Sequence, residues 1–142
     1  MLTLQEIFNK VALHLMTQMR TARGPRQGCD TVQIICYYRS PNGDKCAAGC
    51  LISEENYSPS LEGKDAKNPT VADALFKDGV NMNDLDVARL VINLQICHDR
   101  VPPRVEDWSP DNHRYKRQGG CWKTELIKIA NEFHLEIPEC LK

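Results

Sequence analysis

Apolar residues recur at helical spacing in four stretches of the chain, and a fifth stretch is β-branched and aromatic. In the first stretch Leu4, Ile7, Phe8, Val11, Leu15 and Met19 fall on one face, while Asn9, Lys10, Gln18 and Arg20 lie mostly off it. Thr3 followed by Glu6 has capping-box spacing and marks the helix start. His14 sits at the margin of the stripe and reads as surface or half-buried. Thr70 is expected to cap a second helix running through Phe76, with Asp73 at its third position and Gly79 beyond its end. Asn83 is expected to cap a third. There Val87, Leu90, Val91, Leu94 and Cys97 are joined by Leu85, Ile92 and Ile96, a face wide enough to imply burial on more than one side. This central helix ends at His98-Asp99-Arg100, since Pro102-Pro103 forbid its continuation. A fourth runs from about Trp122 to Phe133 on the stripe Trp122, Leu126, Ile129, Ala130 and Phe133. Ser53 to Tyr57 reads as a short capped turn.

The fifth stretch is Val32 to Arg39, β-branched and aromatic, followed by Ser40-Pro41-Asn42-Gly43-Asp44. Pro suits the first turn position and Gly43 the left-handed one, which predicts a hairpin whose return strand is Lys45 to Ile52. If Ser40 pairs with Asp44, Tyr38 faces Cys46, Cys36 faces Ala48, and Ile34 faces Cys50. Ile34, Cys36, Tyr38, Cys46, Ala48, Cys50 and Ile52 then share an apolar face. The expected architecture is one α+β domain over 1–142, with about four helices packed against an antiparallel β-hairpin or small antiparallel sheet. Leu4, Ile7, Phe8, Val11, Leu15, Ile34, Cys36, Ile52, Val91, Leu94, Leu126, Ile129 and Phe133 are its expected core.

Composition narrows the function classes. The 142 residues carry 18 Lys and Arg against 19 Asp and Glu, a net charge of -1, so a histone-like or acidic-tail protein is excluded while a local basic patch is not. A 42% apolar fraction is that of a globular chain rather than a disordered one. No run is long enough to span a bilayer. MLTLQEIFNK lacks the basic start and small-residue cleavage site of a secretory signal, so a cytoplasmic protein with no membrane partner is expected.

Seven cysteines, at 29, 36, 46, 50, 97, 121 and 140, are many for such a chain, and reduced thiols are expected. The hairpin register brings Cys36, Cys46 and Cys50 to one face. Their apolar neighbours make burial the plainer reading, since Cys behaves as a small hydrophobe. Two chemical readings stand beside it. A thiol enzyme would use Cys46 or Cys50 with His98 as base, although neighbours on a helix point about 100° apart, which counts against Asp99 orienting His98. A metal site would use Cys36, Cys46 and Cys50 with His98, or Cys29, His113 and Cys121. Positions 46 and 50 are about 13 Å apart along a straight strand, and neither set has diagnostic spacing. No residue is therefore assigned catalysis, and no cofactor or metal is expected.

Two loops carry the remaining candidates. Residues 21–31 are broken by Gly24-Pro25 and Gly28, and Arg20, Arg23 and Arg26 make this region basic. Residues 104–120 hold Trp108, His113, Arg114, Tyr115, Lys116, Arg117 and Gly119-Gly120. A solvated loop is the simple reading of each. The sharper reading is a contact surface, with Tyr115 and Trp108 exposed among arginines as interface residues often are. Basic residues beside an aromatic also suit a nucleic acid.

Several segments resemble a family of small tailed-phage and prophage proteins with no known activity. The resemblance rests on 4–11 (LQEIFNKV), 36–52 (CYYRSPNGDKCAAGCLI), 54–57 (EENY), 61–63 (LEG), 94–99 (LQICHD) and 129–135 (IANEFHL). It covers most of the chain in order and implies expression in the cytoplasm of a bacterial host. It supplies no reaction. Segments 21–31 and 109–121 have no counterpart in that pattern, which makes them the place for an individual function. The expected function is non-catalytic: an accessory protein that binds a host-cell macromolecule, as an inhibitor of a host or defence protein. Arg20, Arg23, Arg26, His113, Arg114, Tyr115, Lys116 and Arg117 form the candidate surface. The thiol enzyme and a nucleic-acid binder are the alternatives. A homo-oligomer stays open, because a lone hairpin is a poor sheet.

Overall fold

The computed structural model describes residues 1–26, 34–111, 114–115 and 118–142. Among them are four helices, α1 (Leu4–Gln18), α2 (Pro69–Lys77), α3 (Leu85–Arg100) and α4 (Trp122–Glu132). One two-stranded antiparallel sheet, β1 (Arg23–Pro25) with β2 (Ile34–Cys36), completes an α+β fold. Short 3-10 turns at Gly49–Leu51, Pro59–Leu61, Val105–Asp107 and Glu139–Leu141 punctuate the connections.

The helices follow their apolar stripes. Thr3 Oγ1 accepts from the Glu6 N–H at 3.1 Å, and Glu6 Oε2 accepts from the Thr3 N–H at 3.0 Å, closing the expected capping box. α1 buries Ile7, Phe8, Val11, Ala12 and Leu15, and ends where Met19 turns left-handed at φ 51°. α3 packs against both α1 and α4, which makes it the central helix. Trp122 is fully buried at the head of α4 and donates from Nε1 to the Val101 carbonyl at 2.8 Å, tying α4 to the end of α3.

Two caps differ from expectation by one or two residues. α2 is capped by Asn68, whose Oδ1 accepts from Thr70 N–H at 3.0 Å. Pro69 fills the first position, where its missing N–H has no consequence. α3 is capped by Asp84, which accepts from Asp86 N–H at 2.9 Å and Val87 N–H at 3.3 Å. Asn83 instead donates its N–H to Asn81 Oδ1.

The hairpin is the main correction. Its turn forms: Ser40 N–H donates to the Asp44 carbonyl at 2.8 Å, Gly43 takes φ +90°, and Arg39 bridges Lys45 in the expected register. Cys46 N–H reaches the Tyr38 carbonyl at 3.3 Å, and pairing ends there. The chain then coils through Ala47 and Ala48 into the turn at Gly49–Leu51, so the Cys36–Ala48 and Ile34–Cys50 pairs are not made. Gly49 explains the coil. A Cβ there would lie 2.0 Å from the Tyr38 carbonyl oxygen, so glycine lets the turn close against that backbone. β2 pairs with β1 instead, in the register Arg23↔Cys36, Gly24↔Ile35, Pro25↔Ile34, and β1 falls in the segment read as a basic loop. Ile34 is consequently 49% exposed and Cys36 is also exposed, where both were expected in the core. Leu4 and Phe133 pack at its rim, and the other expected members are buried. Val32 and Gln33 of the anticipated strand lie outside the described residues.

Candidate functional site

The left-handed Met19 ends α1 and turns the chain so that Arg20 leaves the helix face. Arg20 forks onto Asp44, Nε to Oδ2 at 3.1 Å and Nη2 to Oδ1 at 2.9 Å. The Arg20 bond, more than any other contact, holds the Asp44 carboxyl below its ordinary range; Asn42 Nδ2 adds a second donor at 3.2 Å. Three residues on, Arg23 Nη2 donates to the Asp99 carbonyl at 2.7 Å, at the electronegative end of α3. The Nε of Arg23 is buried without a partner.

A buried clamp sets this segment. His98 is fully buried, and its Nε2 accepts from the Ala22 N–H at 2.9 Å. A backbone amide can only donate, so the ring proton sits on Nδ1, which contacts Asp99 Oδ1 at 2.7 Å. Trp122 stacks on the ring with centroids 5.6 Å apart. Asp99 therefore does orient His98, against the expectation from helix geometry. At the last turn of α3 the carboxylate bends back to its neighbour, where Gln95 Nε2 also holds it at 3.0 Å.

The product is a shallow cleft of about 510 Å³ between β1 and the segment after α3. Arg20, Arg23, Arg104 and Arg114 line it, together with Tyr115 and the carboxylates of Asp44 and Asp107. Arg104 Nη1 lies 3.9 Å from Asp107 Oδ2, and both side chains are solvent-exposed. The two basic loops thus converge. Arg104 was missed by sequence reasoning, although its place directly after Pro102-Pro103, where α3 must end, was a usable signal. Arg26 is exposed and lines a different cleft. Tyr115, expected to be exposed, is 9% exposed and acts as a wall, while Trp108 is half-buried. His113, Lys116 and Arg117 lie outside the described residues, as does Cys29.

The thiol arrangement does not assemble. Cys46 is buried and its Sγ accepts from Gly49 N–H at 3.2 Å; burial pushes its thiol well up. Cys50 donates to the Ala47 carbonyl at 3.1 Å, and burial raises it to about 12. Cys36 is solvent-exposed, yet partial desolvation on its covered side also raises its thiol, with the Asp99 charge second. A nucleophilic thiol needs the opposite shift and a base with a free lone pair. His98 offers none to Cys46 or Cys50, because Ala22 and Asp99 occupy both nitrogens. Among the described residues, no three His, Cys, Asp or Glu side chains are placed to hold a metal ion. Nor is any described helix long and apolar enough to cross a membrane.

No protein-family model matches the chain, and neither a curated protein nor a solved structure is significantly similar to it.

Proposed function

We propose that the chain is a non-catalytic binding protein whose contact surface is the arginine-lined cleft. The observation that carries this reading is the convergence of Arg20, Arg23, Arg104 and Arg114 from two separate segments of the chain. Arginine is a preferred interface residue because its planar fork pairs carboxylates bidentately, and the Arg20–Asp44 fork already displays that geometry. The partner is a protein presenting an acidic patch. Two features favour protein over nucleic acid: Asp44 and Asp107 interrupt the cations within the cleft, and the net charge is -1. A phosphate backbone calls for an extended cationic track. With the phage-type resemblance of the sequence, the partner becomes a host or defence protein of a bacterial cell, and binding becomes inhibition.

The test is affinity capture of tagged protein from bacterial lysate, with and without nuclease and at low and moderate salt. One stoichiometric protein that survives nuclease and is lost with R23E and R114E supports the reading. Recovery of nucleic acid alone, lost at moderate salt, transfers the cleft to the nucleic-acid alternative. Capture of nothing removes stable sequestration.

A further inference from the structure

The β1–β2 ribbon separates two clefts. Ile34 lines the arginine cleft, and its neighbour Ile35 lines a larger one of about 740 Å³. The second falls within the roughly 300–1,000 Å³ typical of small-molecule sites. Its wall is formed by Ile35, Tyr37, Pro41, Tyr57 and Pro59, and Arg39, Arg26 and Glu62 are its charged groups.

Arg39 is held in an unusual state. Its guanidinium lies over the Tyr57 ring, 4.3 Å from the centroid, and Nη1 donates to Glu54 Oε2 at 2.8 Å. The Arg39 side chain is 19% exposed and that of Glu54 78%. The other edge, Nε and Nη2, is buried and has no hydrogen-bond partner. Buried donors of a charged group are costly to leave unmade. These two N–H groups are also the parallel pair that a carboxylate accepts bidentately. Glu62, which lines the same cleft, does not fill the role. Its Oε1 accepts from Tyr38 N–H at 2.8 Å, and its Oε2 from Arg39 N–H at 3.1 Å and the Tyr57 hydroxyl at 2.8 Å.

We propose that this second cleft binds a small carboxylate carried on an aromatic or aliphatic body. The Nε–Nη2 edge of Arg39 takes the carboxylate, and Ile35, Tyr37, Pro41 and Pro59 hold the body. Both nitrogens are shielded from solvent, so engagement turns the guanidinium toward the cleft. That turn gives up the stacking on Tyr57 and the pair with exposed Glu54, of which the latter resists only weakly. This site is separate from the arginine cleft, and neither reading depends on the other.

The test uses the full chain, titrated with phenylacetate, its neutral counterpart phenylacetamide, and inorganic phosphate, followed by amide, Arg Nε–H and tyrosine ring NMR signals. Phenylacetate is expected to shift Arg39 Nε–H and Tyr57, and phenylacetamide to bind at least about tenfold more weakly, the discrimination expected of a charge-assisted bond. Phosphate, lacking a body, is expected not to displace phenylacetate. R39Q should reduce the preference for acid over amide more than R26Q does. E54Q removes the competing negative charge without touching the cleft, and should tighten phenylacetate, which keeps the test decisive if R39Q fails to fold. Equal binding of acid and amide, displacement by phosphate, or weakening in E54Q would overturn the proposal.

Discussion

The helical layer and the ribbon-and-turn layer are held together by different physics. α1, α3 and α4 meet through Phe8, Leu15, Leu90, Leu94, Trp122 and Leu126, all fully buried, and their contacts are non-directional. Residues 20–26 and 34–64 send Tyr38, Ala48, Leu51, Ile52 and Leu61 into the same core, but are held in addition by single polar side chains reaching backbone groups. Gln18 accepts from Lys45 N–H at 2.8 Å and donates to the Lys45 carbonyl at 2.9 Å, so a helix side chain imitates a neighbouring strand. Gln95 accepts from Ala48 N–H, Asp78 from Ser53 N–H, and Glu62 from two consecutive amides. The difference teaches where disruption spreads. A lost helix contact weakens the whole fold, whereas a lost polar clamp frees one segment.

Breaking the helical side has the largest expected effect. W122A removes a fully buried indole and its bond to Val101. It should lower unfolding free energy by about 3–5 kcal/mol in urea titration. A loss below about 1 kcal/mol would show that α4 is not part of the cooperative core. On the other side, E62Q turns an acceptor edge that serves Tyr38 and Arg39 amides into one that also carries donors. The expected cost is about 1–3 kcal/mol, and hydrogen exchange should accelerate at residues 38 and 39 while α1 and α3 stay protected. Uniform acceleration would erase the contrast between the layers. G49A forces a Cβ against the Tyr38 carbonyl and should cost about 1–3 kcal/mol, read as a shifted urea midpoint with chemical-shift changes confined to the turn.

A pH effect sharpens the comparison at the seam. His14 on α1 contacts the Lys45 carbonyl through Nε2 at 2.9 Å, and burial lowers its pKa from 6.5. The unfolded chain therefore binds the proton more readily. Stability is full above about pH 6.5 and falls as pH drops below it. H14Q should flatten that part of the stability profile; an unchanged slope would assign it to another group. The smallest effect is expected from R104A. Its contact with Asp107 is exposed at 3.9 Å, so stability should change by no more than about 0.5 kcal/mol, while capture of an acidic partner weakens.

The same division decides what could be read in advance. Helix positions, the Thr3–Glu6 box, the stop at Pro102 and the register of the Ser40–Asp44 turn are local, and each was legible from spacing. The partner of β2 was not, because Ile34 to Cys36 would suit either neighbour, and the close approach of Gly49 to the Tyr38 backbone that ends the hairpin has no spacing signature. The candidate surface was legible as two basic loops, Arg20, Arg23, Arg114 and Tyr115 among them. Their convergence depends on His98, whose fit between Ala22 and Asp99 has no periodic signature. Arg39 was passed over because its partly buried state is set by Tyr57 and Glu54, beyond the turn.

The Ala22–His98 bond bears on binding kinetics. Because Ala22 is fixed to a core imidazole and Arg23 to an α3 carbonyl, that rim of the arginine cleft is ordered as the chain folds. A partner meeting it has little loop entropy left to remove. In the proposed complex, formation would then be governed by electrostatic encounter, and lifetime by how well the partner's acidic groups match a rim that does not adapt to them.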